Sequence, residues 1–206
     1  MSARIDQTVV SGVFSLDGAD FDVDNNVWLV GDDAEVLVID APHDAEPILE
    51  AIGDRRVVGI VLTHGHNDHI SAAVALREAT GAPIWLHPAD RVLWDMVYGQ
   101  AHPDAVPDRD LGEGTRFSVA GTTLTALHTP GHSPGSTCLH APELATVFTG
   151  DTLFRGGPGA TGRSYSDKPT ILNSIRSRLL TLHGDTVVKT GHGEDTTITA
   201  ELRNIR

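Results

Sequence analysis

The sequence predicts an α/β fold in which two mixed sheets pack face to face with helices on their outer sides. Three observations carry this. Short apolar runs of strand length alternate with amphipathic stretches through residues 26–86, residues 116–148 are mostly strand with glycine and proline between the runs, and residues 169–182 return to a helical period. Domains usually hold about 100–200 residues, so residues 1–206 are read as a single domain.

The elements follow in order. Residues 26–30 and 35–39 are apolar runs separated by the turn formers Gly31, Asp32 and Asp33, the pattern of a hairpin between buried strands. Residues 43–52 place Ile48, Leu49 and Ile52 on one side and read as a helix, whereas the β-branched run 57–62 is too short for one and reads as a buried strand. Residues 71–80 are expected to form a helix, with Val74 and Leu76 among alanines, until Gly81, Ala82 and Pro83 stop it and strand resumes at 84–86. Further strands are expected at 117–119, 123–128, 137–140 and 146–148. In the helix 169–182, Ile171, Ile175, Leu179 and Leu182 share one face and Pro169 suits the first turn. A last strand at 186–189 precedes the loop 190–193.

Composition excludes several classes of function. The net charge of −13, from 28 acidic against 15 basic residues, opposes nucleic acid as a partner, because phosphate binding needs a basic stripe. No apolar run approaches the ~18–20 residues that span a bilayer, and residues 1–6 contain no apolar signal core, so a cytoplasmic protein without a membrane partner is expected. Cys138 is the only cysteine, which rules out an internal disulfide and a thiolate zinc knuckle. Any metal must sit on histidines and carboxylates. Lys168 and Lys189 are the only lysines, an arginine bias that points to a GC-rich coding genome.

The chemistry concentrates in a few short segments. His64, His66, Asp68 and His69 fall within six residues, directly after the buried strand 57–62, at a strand's carboxyl end where ligand sites gather in α/β folds. Three imidazoles and a carboxylate at that spacing form a like-charged cluster at low pH, and a metal ion turns the same groups into ligands. His132, Asp151 and His192 each follow an expected strand and stand beside glycine. If the strand ends converge, the seven side chains form one centre, with Gly65, Gly131, Gly150 and Gly191 allowing close backbone approach.

At these residues the sequence resembles the metallo-β-lactamase superfamily, and within it the glyoxalase II-like hydrolases, over nearly the whole chain. The family's Thr-His-x-His-x-Asp-His stands at 63–69, Pro-Gly-His-x-x-Gly at 130–135, Thr-Gly-Asp-x-Leu-Phe at 149–154 and Gly-His-Gly-x-x-Thr at 191–196, in the family's order. The resemblance implies an αββα four-layer sandwich. It also implies two divalent metal ions, zinc first and iron or manganese as alternatives. One would sit on His64, His66 and His132 and the second on Asp68, His69 and His192, with Asp151 bridging. Asp40 matches a family acid that supports a metal-ligating histidine. The expected reaction is hydrolysis of an acyl thioester of a low-molecular-weight thiol by a metal-bridging hydroxide, which Asp68 orients and whose proton Asp68 can take once the hydroxide has attacked the carbonyl; the expected partner is that small-molecule thioester.

Neighbouring branches of the family are set aside on single residues. True β-lactamases of this fold lack a bridging aspartate at the position of Asp151, flavin-linked di-iron relatives carry glutamate at the position of His66, and acyl-homoserine lactonases carry tyrosine where Phe154 stands. Long glyoxalase II enzymes add a C-terminal helical domain that grips glutathione, whereas only the stretch 196–206 follows the last ligand's loop here, so the resemblance does not carry glutathione over as the thiol; the GC-rich bias adds mycothiol as a candidate beside it. The competing reading is a persulfide dioxygenase of the same fold, with a single iron on two histidines and an aspartate. Cys138 reads as a small buried hydrophobe, and His43, His87, His102, His128, His140 and His183 as surface or satisfied core residues. Residues 157–164 match G-x-G-x-x-G, but Pro158 and Gly159 do not start a helix. They are read as a flexible loop at the mouth of the site, where Arg163, Ser164 or Tyr165 meets a substrate's polar end.

Overall fold

The computed structural model describes residues 2–99, 102 and 104–205. Its first sheet runs in chain order: β1 (Arg4–Leu16), β2 (Ala19–Gly31), β3 (Glu35–Ile39), β4 (Arg56–Val61), β5 (Ile84–Leu86) and β6 (Arg109–Asp110). Pairing is antiparallel from β1 to β3 and parallel from β3 to β6. The second sheet contains β7 (Arg116–Val119), β8 (Thr122–His128), β9 (Thr137–Ala141) and β10 (Thr146–Gly150). After a small separate hairpin, β11 (Leu153–Phe154) with β12 (Gly157–Pro158), it is completed by β13 (Val187–Thr190) and β14 (Thr196–Thr197). Its spatial order is β14-β13-β10-β9-β8-β7, with β10 and β13 parallel.

Side-chain alternation along the strands builds four layers. Val27, Leu29, Val36, Val38 and Ile60 point outward from the first sheet onto α1 (Glu46–Ile52), α3 (Ala73–Thr80) and α4 (Arg91–Tyr98), meeting Ile48, Leu76 and Trp94. Their neighbours Trp28, Val30, Leu37, Ile39 and Val61 point inward and meet Leu124, Leu139 and Phe148 of the second sheet. Cys138, Val147 and Val188 face the other way, onto Ile171, Ile175 and Ile198 of the far helical layer. Strands covered on both faces read as unbroken apolar runs, which is why 35–39 and 57–62 stood out in the sequence.

Local chemistry sets the helix ends. Gly81, at φ 71°, closes α3 in the left-handed conformation, its N–H bonded to Arg77 O. Asp167 caps α5 (Lys168–Ser174) by accepting from Thr170 N at 2.8 Å, with Pro169 in the first turn. That helix runs on through Ile175–Leu179 with a wider turn, Leu180 N donating to Ile175 O at 2.9 Å. The helix expected at 43–52 starts only at Glu46. The one expected at 71–80 begins earlier, as the short α2 (Asn67–Ile70), and breaks before α3 because Ala72 N donates to Ala41 O at 2.9 Å instead of continuing the helical ladder. The long β1–β2 hairpin and α4 are additions to the expected elements. Among the described residues, no helix is long and apolar enough to cross a membrane.

Candidate metal centre

All seven expected donors meet at one end of the sandwich. His64 and His66 follow β4, Asp68 and His69 lie within α2, His132 sits in the β8–β9 connection, Asp151 follows β10 directly and His192 follows β13. Asp68 and His69 are therefore helical, ahead of the helix expected at 71–80. His64 Nε2 lies 3.1 Å from His66 Nδ1, which is 3.0 Å from His132 Nε2. Two ligands on a tetrahedral zinc at ~2.05 Å stand about 3.3 Å apart, so this spacing suits a shared ion. On the other side, Asp68 Oδ2 is 3.6 Å from His69 Nε2 and 3.2 Å from His192 Nε2, which are 3.3 Å from each other. Asp151 stands between the two groups, Oδ1 at 3.4 Å from His69 Nε2 and Oδ2 at 3.5 Å from both His132 Nε2 and His192 Nε2.

The surroundings hold the imidazoles with their inner nitrogens free. His69 Nδ1 donates to Asp40 Oδ2 (2.9 Å), His132 Nδ1 to Ala160 O (2.9 Å) and His192 Nδ1 to Asp24 O (2.8 Å), which leaves each Nε2 facing the centre. Asp40 adopts a left-handed φ of 65°, uncommon outside glycine, and also accepts from Thr63 N at 2.7 Å and Thr63 Oγ1 at 2.9 Å. Its carboxylate thus touches His69, the kind of contact that the resemblance implies for Asp40. A side chain at Gly191 would strike Asp151 Oδ1 and His69, so glycine there lets the His192 loop approach the centre.

Electrostatics separate the two halves. Burial, reinforced by the charge of His132, pulls His66 down to about 3, and burial with the neighbouring imidazoles holds His64 well below its ordinary value. Burial also opposes charge on His69 and His192, but Asp151 and Asp68 outweigh it, lifting His69 well above the usual range and His192 to about 10. Asp151 is itself held well below the carboxylate range: burial works against this, and His69 and His192 overcome it. Asp68 Oδ1 and Asp151 Oδ1 are buried without a hydrogen-bond partner. Buried carboxylate oxygens left unpartnered are costly in a protein, and a cation together with the water it carries would satisfy them. The donor set fits metal.

Residues beyond the sequence reading complete the wall. Asn25 Nδ2 donates to Asp68 Oδ2 at 3.2 Å, while Asn25 Oδ1 accepts from His43 Nε2 at 2.8 Å. Phe14, on the unforeseen β1, lies with its ring centre 5.3 Å from that of His66. Beside the centre is a cleft of about 80 Å³, lined in part by Phe14, Leu16, His66, Arg163 and Ser164. The Arg163 guanidinium lies 4.7 Å over the Phe21 ring. Tyr165, 44% exposed, is not among the residues lining that cleft. The glycine-rich segment 157–164 forms the second strand of the small hairpin and then coil, with α5 starting only at Lys168.

Comparison with known proteins agrees with this geometry. The family model for the metallo-beta-lactamase superfamily matches residues 21–192. Hydroxyacylglutathione hydrolase GloC of Haemophilus influenzae is 35% identical over 191 residues, covering 87% of this chain and 90% of that protein. Among solved structures, the chain is similar to TTHA1623 in a di-iron-bound form (TM-score 0.78, 35% identity, 88% of this chain and 94% of that one). It is also similar to the BLEG-1 B3 metallo-beta-lactamase (0.79, 28%, 95% and 98%) and to ETHE1 from Myxococcus xanthus (0.73, 25%, 95% and 82%). Its four-layer fold, its histidine and aspartate cluster and these matches lead to one conclusion: the chain belongs to the metallo-beta-lactamase superfamily and resembles its glyoxalase II-like members.

Proposed function

We propose that this protein is a two-metal hydrolase that cleaves an acyl thioester of a low-molecular-weight thiol. One observation carries the reading. His64, His66 and His132 form one donor group, Asp68, His69 and His192 form another, and Asp151 lies within reach of both. A mononuclear iron centre uses two histidines and one aspartate and gives the second group no ligand role. The likeness to GloC, a protein named a hydroxyacylglutathione hydrolase, supports the thioester.

Bound metal ions would supply a Lewis acid for the carbonyl and lower the pKa of water from ~15.7 to about 7. The protein's own groups do the rest. Asp151 holds the two donor groups at a common distance. Asp68 engages Asn25 and His192 through Oδ2, so its buried, unpartnered Oδ1 is the oxygen placed to orient a water molecule and accept its proton. Asp40 keeps His69 in the tautomer that presents Nε2. Arg163, in the adjoining cleft, receives a carboxylate at the far end of the thiol carrier. Zinc is the expected metal, with iron or manganese as alternatives.

The test is a panel of acyl thioesters of glutathione and other small thiols, assayed with metal-loaded protein in air and under strict anaerobiosis, beside elemental analysis. Thiol release at the same rate with and without oxygen is the expected result. Turnover only with a persulfide and oxygen, on protein holding one iron, would replace this reading with that of a persulfide dioxygenase.

A further inference from the structure

We infer that Asp90 is a positioning residue for one half of the metal centre: its carboxylate ties together the two loops that carry His64, His66 and His132. The inference rests on the metal-centre reading above but not on the choice of thioester.

Asp90 immediately precedes α4 and is fully buried. Its Oδ2 accepts from Gly65 N at 2.8 Å and from Ser133 Oγ at 2.6 Å, and its Oδ1 accepts from Gly135 N at 2.5 Å. Gly65 lies between His64 and His66, and Ser133 follows His132 directly. One carboxylate therefore grips both sides of the three-histidine group from behind. A buried carboxylate is costly unless donors compensate it, and three short bonds from two loops are that compensation. The same contacts explain two glycines. A Cβ at Gly135 would stand 2.6 Å from Asp90 Cγ, and one at Gly65 would stand 3.1 Å from Asp90 Cβ and 2.8 Å from Leu93 Cβ. Any side chain at either position pushes the loop off the carboxylate.

The grip is one-sided. Among the described residues, Asp90 makes no hydrogen bond to Asp68, His69, Asp151 or His192. Although Gly65 runs on into α2, that helix is anchored separately, with Ala41 N donating to His69 O, Asp40 accepting from His69 Nδ1 and Asn25 meeting Asp68, while His192 is met by the Asp24 carbonyl. Loosening Asp90 should thus widen the spacing of His64, His66 and His132 and leave the other group in place. Fold support alone would weaken both halves together.

The experiment is zinc binding to metal-free protein, followed by competition with a chromogenic chelator, for Asp90→Asn in two backgrounds. In His192→Ala, where the remaining strong site is the three-histidine one, Asp90→Asn should weaken zinc binding about 10- to 100-fold, the range seen when outer partners of metal ligands are removed. In His132→Ala, where the remaining site is that of Asp68 and His69, the same change should alter affinity less than about twofold. Equal losses in both backgrounds, or no loss in either, would overturn the inference. Where Asp90→Asn does not fold, Ser133→Ala removes one donor from the opposite side and decides the matter: a loss confined to the three-histidine site upholds the grip, and unchanged zinc affinity overturns it. Because no substrate is used, failure here leaves the thioester assay untouched.

Discussion

On the two-metal reading, Asp151 is the side chain that both donor groups share. Its two oxygens lie 3.4–3.5 Å from His69, His132 and His192, so Asp151→Ala should lower metal content at both sites, whereas His192→Ala should mainly empty the site it shares with Asp68 and His69. Metal per protein after gel filtration checks this: two tightly held ions in Asp151→Ala, or equal loss from both sites in His192→Ala, would contradict the assignment. The seven expected donors stood out in the sequence because metal chemistry restricts which residue types serve, because His64, His66, His132, Asp151 and His192 stand beside glycine after a strand, and because Asp68 and His69 follow His64 and His66 within six residues. Asn25 and Asp90 were not. Each acts through a bond formed across the fold, Asn25 to Asp68 and Asp90 to backbone N–H groups of Gly65 and Gly135, and such a bond leaves no spacing pattern. Cys138 was read as a buried hydrophobe; it is fully buried, and burial pushes its thiol up to about 11.

Among the elements, β2 connects the first sheet to the site. Its inner half packs Trp28 between the sheets, with the indole Nε1 donating to Thr190 O at 3.0 Å, while Asn26 Nδ2 donates to Thr190 O and Gly193 O. Both residues hold the loop that carries His192. Trp28→Phe keeps most of the ring but loses the indole bond, so it should destabilise the fold by about 0.5–1.5 kcal/mol, the net worth of one hydrogen bond, because Thr190 O keeps Asn26 Nδ2 as a donor. Trp28→Ala should cost about 3–5 kcal/mol through the cavity it opens. Urea unfolding measures both, and a Trp28→Phe variant as stable as the parent would show that Asn26 alone satisfies Thr190 O. The inner half of β2 was readable because it is apolar on both faces. Its outer half and β1 alternate polar with apolar residues and remain half exposed, so they lack the continuous run that marks a buried strand, although that alternation is itself a strand signal. The hairpin they form supplies Phe14 and Leu16 to the cleft, so the part of the wall the sequence reading missed is the part that meets solvent.

Across the whole molecule, the chain divides its metal centre into halves with opposite attitudes to protons. The strand ends place His64 and His66 deep among imidazoles, where they stay neutral, with His66 held down at about 3. They place His69 and His192 against Asp68 and Asp151, where both hold protons in the metal-free protein, His192 up to about 10. A metal entering beside His64 and His66 therefore meets two imidazoles already deprotonated at pH 7. One entering the second group must displace protons first. The sign follows: raised pKa values strengthen proton competition, so acidification should empty the Asp68, His69 and His192 site before the other. Protein dialysed stepwise from pH 7.5 to 5.5 and analysed for metal should fall from about two ions to about one before losing the last. Loading the second site at pH 7 should release more protons than loading the first, which calorimetry in buffers of different ionisation enthalpy measures. Chelation should also lower the melting temperature, since a ligand at 1,000 times its Kd contributes ~4 kcal/mol to the folded state. Both ions leaving together across this pH range would mean that Asp151 couples the two halves more strongly than their separate proton affinities divide them.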